Sequence, residues 1–215
     1  SCAAEGTIYA EVFSSPDHAA ETGISYAGHL EGLAAGIDDA ERDFGIIGRV
    51  IVTCVRHLGP QRAGVIVDTI VAEPHPYVVG FGMGGDENAY QLSDFAPAFN
   101  KVSQAGLPCT VHAGEVCGPE SVTDALDNLP VTRIGHGVRS IEDSGLVERI
   151  VTMGVTLEVC TGSNLALGLY DNAQNHPLRA LLDAGCKVAF GSDDPPFFAT
   201  SIGAEYDRAE SEFGL

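Results

Sequence analysis

Four apolar runs of this 215-residue chain end on side chains that can do chemistry. They close on His112-Ala113-Gly114-Glu115, Gly135-His136-Gly137, Leu157-Glu158-Val159-Cys160 and Ser192-Asp193-Asp194-Pro195. A neutral imidazole is a good zinc ligand, and a carboxyl three residues on can shuttle a proton to a substrate. Taken alone, the His112 and Glu115 pair is a weak signal, because structural histidines are common. His136 says more, since flanking glycines let backbone and ligand approach closely. A lone histidine at a strand end is nevertheless as often a satisfied core group. Asp193-Asp194 is the sharpest of the four. Adjacent carboxylates at the end of a buried strand repel each other, so each needs its own partner. One suits a metal and the other a hydrogen bond from a substrate; the bland alternative is a turn before Pro195. Hydrolysis by a metal-activated water needs such a combination: a ligand shell, a group for the water's proton and an acid for the substrate.

Those segments need elements to place them. Short apolar runs alternate with helical patterns from end to end, which predicts an α/β fold with a parallel sheet. The candidate strands are Ile8–Phe13, Val50–Val55, Tyr77–Phe81, Cys109–His112, Thr132–Gly135, Thr156–Cys160 and Lys187–Phe190. Helical patterns fall at about 17–44, 60–72, 92–105, 119–128, 142–153, 176–184 and 202–213. Gly45, Gly106, Gly154 and Gly185 suit left-handed helix ends, and Asp17 and Ser93 suit N-caps. Polar residues after nearly every strand favour a (β/α)8 barrel, whose site lies at the C-terminal rim. A doubly wound sheet would gather its site at one switch point. The run Gly80-Phe81-Gly82-Met83-Gly84-Gly85 is rich in glycine but follows a middle strand and is not a dinucleotide fingerprint. No linker or charge block divides the chain, so residues 1–215 read as one domain.

Composition narrows the partners. The net charge of −19 disfavours phosphate backbones and anionic membrane surfaces, which leaves nucleic acid and membrane as poor partner readings. The six cysteines form no C-x-x-C, and Cys54, Cys109, Cys160 and Cys186 lie in or beside apolar runs, as reduced buried thiols do. The expectation is a cytoplasmic protein. Asp38-Asp39, Glu41 and Asp86-Glu87 read as solvated charges, and His18, His29, His57 and His75 as surface or packing residues.

In order and spacing, Thr110–Glu115, Arg133–Gly137, Leu157–Cys160 with Ser163-Asn164, His176-Pro177 and Asp193-Asp194-Pro195 resemble the adenosine deaminase family of zinc hydrolases, from Tyr9 through Tyr206. The resemblance implies a TIM barrel covering about strands 2 to 8. It implies one zinc per site held by His112 and Asp193, and hydrolytic deamination of adenosine or deoxyadenosine with release of ammonia. Glu115 would protonate purine N1, His136 would orient the attacking water and handle its proton, and Asp193 would serve catalysis as a ligand. Asp194 would accept a hydrogen bond at N7, and the Gly85 backbone would contact N3. The small-molecule partner implied is a purine nucleoside.

Some segments depart from the family pattern. Gly82–Glu87 lacks an aspartate common there, Thr161-Gly162 replaces a segment that usually begins with proline, and Gly191-Ser192 replaces an Asn-Thr. These changes bear on substrate more than on reaction type, and Gly84–Glu87 leans toward the nucleoside enzymes. The family's first strand, with its His-x-His pair, is not matched by any of the seven histidines. A zinc held by His112 and Asp193 alone would be weakly bound. The isolated 215 residues are therefore expected to be inactive unless a second chain or segment supplies that strand. The alternatives are a deaminase of adenine or another aminopurine and, from a different class, a non-catalytic remnant of such a barrel. A cytidine-deaminase-type site is disfavoured, since Pro108-Cys109 is not followed by the second cysteine of P-C-x-x-C.

Overall fold

The run Ile47–Val55 shows why the chain builds a sheet of parallel strands. Its β-branched residues are stiff at χ1 and suit a pleated surface, and every residue from Val50 to Val55 is buried. The structure is a computed structural model and describes residues 2–215. Its strands are separated by one or two helices each: β1 (Tyr9–Ser14), α1 (Pro16–Glu21), α2 (Tyr26–Phe44), β2 (Ile47–Val55), α3 (Pro60–Ala72), β3 (Val78–Gly84), α4 (Ala96–Gln104), β4 (Cys109–Ala113) and α5 (Pro119–Asn128). They continue with β5 (Val131–His136), α6 (Ser144–Met153), β6 (Thr156–Val159), α7 (Thr161–Ala166), α8 (Leu178–Asp183), β7 (Lys187–Phe190), α9 (Pro195–Phe198) and α10 (Ile202–Phe213).

The described residues fall into two compact units. The first holds Ala3–Val111 and Leu126–Val131; the second holds Cys2, His112–Ala125 and Thr132–Leu215. In the first, β1 pairs with β2, β2 with β3 and β3 with β4, all parallel. In the second, β5 pairs with β6 and β6 with β7, again parallel. Strand order follows chain order in both, with no reversal, which a doubly wound sheet would require.

All seven expected strands form. β3 runs on to Gly84, through residues that read as a glycine-rich loop. Gly82 explains why: a Cβ there would come within 3.2 Å of the Phe13 ring and 3.3 Å of Ile51, so the glycine lets neighbouring side chains cross the strand. The helix expected over 17–44 is two helices, broken at Gly23 with φ +81. The N-caps also differ from expectation. Ser15 and Ser25 cap α1 and α2, Asp17 lies inside the first turn of α1, and Ser93 lies inside the short 3-10 turn Leu92–Phe95, where Gln91 and Asp94 form a capping box. Gly45, Gly106, Gly154 and Gly185 do hold positive φ. Cys54, Cys109, Cys160 and Cys186 are buried, and all six cysteines are thiols rather than disulfides. Among the described residues no helix is long and apolar enough to cross a membrane.

The core of the second unit sits under the segments expected to do chemistry. Ile134, Val138, Ile150, Leu157, Val159, Leu178 and Leu181 are all buried. α6 is fixed at both ends, by Asp143 accepting from the Gly145 and Leu146 amides and by Gly154 at φ +70. Arg133 and Glu158, on adjacent strands, pair at 3.1 Å.

Candidate active site

His112 is the penultimate residue of β4 and His136 the last of β5, so both emerge where buried strands end. Glycines set the approach between them. A Cβ on Gly135 would lie 3.1 Å from His112 Nδ1, and one on Gly137 would lie 2.7 Å from Leu157. The two following loops are tied together: the Gly137 amide donates to Ala113 O at 3.1 Å and the Arg139 amide to Gly114 O at 2.9 Å. The imidazoles of His112 and His136 meet edge to face, 4.9 Å between centroids. Asp193, three residues beyond β7, completes the set. One ligand atom from each of His112, His136 and Asp193 lies within 4.8 Å of the others.

Strain marks the same place. His136 and Asp193 hold φ +61 and +51, left-handed values that cost a non-glycine residue on the order of 1–3 kcal/mol. The surroundings hold them there. Ser163, in α7, donates from Oγ to Asp193 Oδ2 at 2.6 Å. Glu115 approaches His136 Nδ1 to 3.2 Å. The buried Asn164 amide donates from Nδ2 to Glu115 Oε1 at 3.0 Å and stands 3.3 Å from His136 Nδ1. Burial, and then the neighbouring His112, hold the His136 pKa well below the usual histidine value, so its ring is neutral. Partial burial and the adjacent Asp193 raise Asp194, and His112 opposes them.

Two imidazoles and a carboxylate are nitrogen and oxygen donors of the kind zinc takes. Seryl donation to the carboxylate is the outer-shell support such ligands use. The donor set therefore fits a zinc ion. The family resemblance implies ligand roles for His112 and Asp193; the geometry adds His136 to the groups within reach of one ion.

Gly85 belongs to the first unit. It follows β3 with φ +97, and a Cβ there would come within 2.9 Å of His57 Nδ1. Expectations for the remaining charges divide. Asp38, Asp39, Glu41 and Asp86 are exposed, whereas Glu87, expected to be solvated, is buried at 7 % exposure.

Three residues acquire parts that their sequence positions did not assign. Asn164 joins Glu115 to His136, and His176 Nε2 lies 3.1 Å from Asn164 Oδ1. Glu205, completely buried, accepts from Thr161 Oγ1 at 2.6 Å and from the Gly162 amide at 3.0 Å, fixing the start of α7. Arg208 pairs with it at 2.9 Å, and Thr200 donates at 2.6 Å. A Cβ on Gly162 would collide with the Glu205 carboxylate, which gives the Thr161-Gly162 departure a structural reason.

A family model described as adenosine deaminase matches residues 1–215. The chain belongs to the adenosine deaminase family. Among curated relatives, the adenine deaminase of Agrobacterium fabrum is 50% identical over 209 residues, 97% of this chain and 64% of that protein. The adenine deaminase of Rhizobium rhizogenes is 47% identical over 210 residues, 98% of this chain and 65% of that protein. Among solved structures, the adenine deaminase of Arthrobacter aurescens superposes with a TM-score of 0.92 at 31% identity, over 99% of this chain and 65% of its own. An amidohydrolase from Burkholderia ambifaria with bound Zn gives 0.93 at 30% identity, over 100% and 60%. The chain thus spans slightly under two thirds of these relatives' length. Its fold is the family's α/β barrel type, represented here by seven parallel strands.

Proposed function

We propose that the protein is a zinc-dependent hydrolytic deaminase of adenine, converting it with water to hypoxanthine and ammonia. The observation that carries the reaction type is the convergence of His112, His136 and Asp193 within 4.8 Å, with the Glu115 carboxylate 3.2 Å from His136. The substrate rests on the relatives, since those at 50% and 47% identity are named adenine deaminase. They favour the free base over the nucleoside that Gly84–Glu87 suggested.

In this reading His112 and Asp193 would hold a zinc ion, which would supply Lewis acidity toward the attacking water when bound. His136, neutral because it is buried beside another histidine, orients that water and takes its proton. Glu115 delivers a proton to purine N1 as the C6–O bond forms; His136 then passes the proton it took to N6, so that ammonia leaves as the C6–N6 bond breaks and the C6 hydroxyl proton returns to Glu115. Asp194 takes the hydrogen bond at N7. Adenine has no ribose to anchor it, so orientation rests on these ring contacts.

Steady-state kinetics of the full protein on adenine and adenosine test the reading. The expected kcat/KM for adenine exceeds that for adenosine by at least about 100-fold, roughly 2.7 kcal/mol of transition-state discrimination. A preference for adenosine would restore the nucleoside reading, and no turnover of either would remove the deaminase.

A further inference from the structure

We propose that His176 is a positioning residue for the proposed acid Glu115, acting through Asn164; this rests on the deaminase reading above. The chain of contacts begins at the backbone. The Leu178 amide donates to His176 Nδ1 at 3.1 Å, so that nitrogen carries a lone pair and the ring's proton is on Nε2. Nε2–H then donates to Asn164 Oδ1 at 3.1 Å. With Oδ1 engaged, the Asn164 amide presents its NH2 to Glu115 Oε1 at 3.0 Å and toward His136 Nδ1 at 3.3 Å. A flipped amide would set oxygen against the carboxylate oxygen and N–H against N–H. The tautomer of one histidine thereby decides which way the amide beside Glu115 points.

The packing is built to keep that arrangement. Asn164 is completely buried and His176 is 4 % exposed. The rings of Tyr170 and Phe213 meet His176 edge to face at 4.8 and 5.6 Å between centroids. Burial also pushes the His176 pKa down to about 4, so the doubly protonated ring, which would oppose the Leu178 amide, does not form near neutrality. Asn164 sits next to Ser163, the donor to Asp193, so the same short helix serves both halves of the donor set.

Three variants of the full, zinc-loaded protein separate positioning from packing. His176→Phe keeps a ring between Tyr170 and Phe213 but removes both nitrogens. His176→Asn keeps an acceptor for the Leu178 amide but is too short to reach Asn164. His176→Gln restores an N–H near the Nε2 position. The first two should lower kcat on adenine by about 10- to 100-fold, the scale of losing the orientation of a reacting group. KM should stay within about threefold and zinc content should not change, while His176→Gln recovers at least about tenfold in kcat. In parallel, the Asn164 side-chain NH2 should exchange slowly by NMR in the wild type and in His176→Gln, and rapidly in the other two.

A kcat within about threefold of wild type in both His176→Phe and His176→Asn would overturn the proposal. So would an Asn164 NH2 that stays protected in them. Should the wild type turn over no purine, the deaminase reading falls by itself, and the exchange measurement alone decides whether His176 orients Asn164.

Discussion

His136 and Asp193 both hold left-handed backbone, at φ +61 and +51, yet they are mounted in opposite ways. His136 is 2 % exposed, flanked by glycines that admit the neighbouring strand, and faces Glu115 and Asn164. Asp193 is exposed, follows a strand whose burial alternates, and accepts a 2.6 Å hydrogen bond from Ser163 on another element. The buried side is organised by a polar network whose geometry the core enforces. The exposed side is held by a hydrogen bond from the short helix α7 and by the packing of Phe190 on Tyr206 of α10. In the proposed mechanism the acid and base chemistry falls on the first, where water competes less for protons, and the carboxylate offered to an ion falls on the second.

The largest expected effect lies at Glu115, on the buried side. Glu115→Gln keeps the Asn164 contact but has no proton to pass on, so kcat on adenine should fall by about 10²- to 10⁴-fold with zinc content unchanged. Retained activity would move the acid to the exposed side.

Next comes pH. His176 is held near pKa 4 against 6.5 when unfolded, and burial pushes His136 down as well. The unfolded chain therefore binds more protons across this window. Stability should be full above about pH 6.5 and fall as pH drops toward 4, by about 3 kcal/mol from His176 alone. Urea midpoints measured from pH 7.5 to 4 should show this slope, and His176→Gln should flatten it.

Gly162→Ala probes the element that both sides share. Its methyl would collide with the buried Glu205 carboxylate, and overpacking of this kind costs about 1–3 kcal/mol. Differential scanning calorimetry should show the drop, together with weaker zinc retention, because α7 carries both Ser163 and Asn164. The smallest effect belongs to the exposed side. Ser163→Ala should weaken zinc binding by about 10-fold in a chelator competition and leave the His136 surroundings unchanged.

Much of this was legible along the chain. Short apolar runs ending at or just before His112, His136 and Asp193 announce strands that carry ionisable side chains to their C-terminal ends, and all seven strands lie where their apolar runs predict. What escaped has a common cause. α7 begins Thr161-Gly162-Ser163-Asn164, poor helix formers, and its start is fixed by Glu205, 44 residues away along the chain. Asn164 and His176 stand 12 residues apart, and nothing local links an asparagine in one turn to a histidine before a proline. Asp17 and Ser93 looked like caps because their types suit that position, but serines at 15 and 25 and the Gln91–Asp94 box begin the helices instead. The buried Glu87 and the glycine-rich β3 likewise depend on neighbours that the local sequence does not name.

The most direct test is anomalous X-ray diffraction from crystals of the full protein, collected on either side of the zinc absorption edge. One strong difference peak is expected, bordered by the His112 ring and the Asp193 carboxylate, with His136 facing it and Glu115 beside it. No peak there, or a zinc peak held by other residues, would contradict the claim that these side chains form a metal centre.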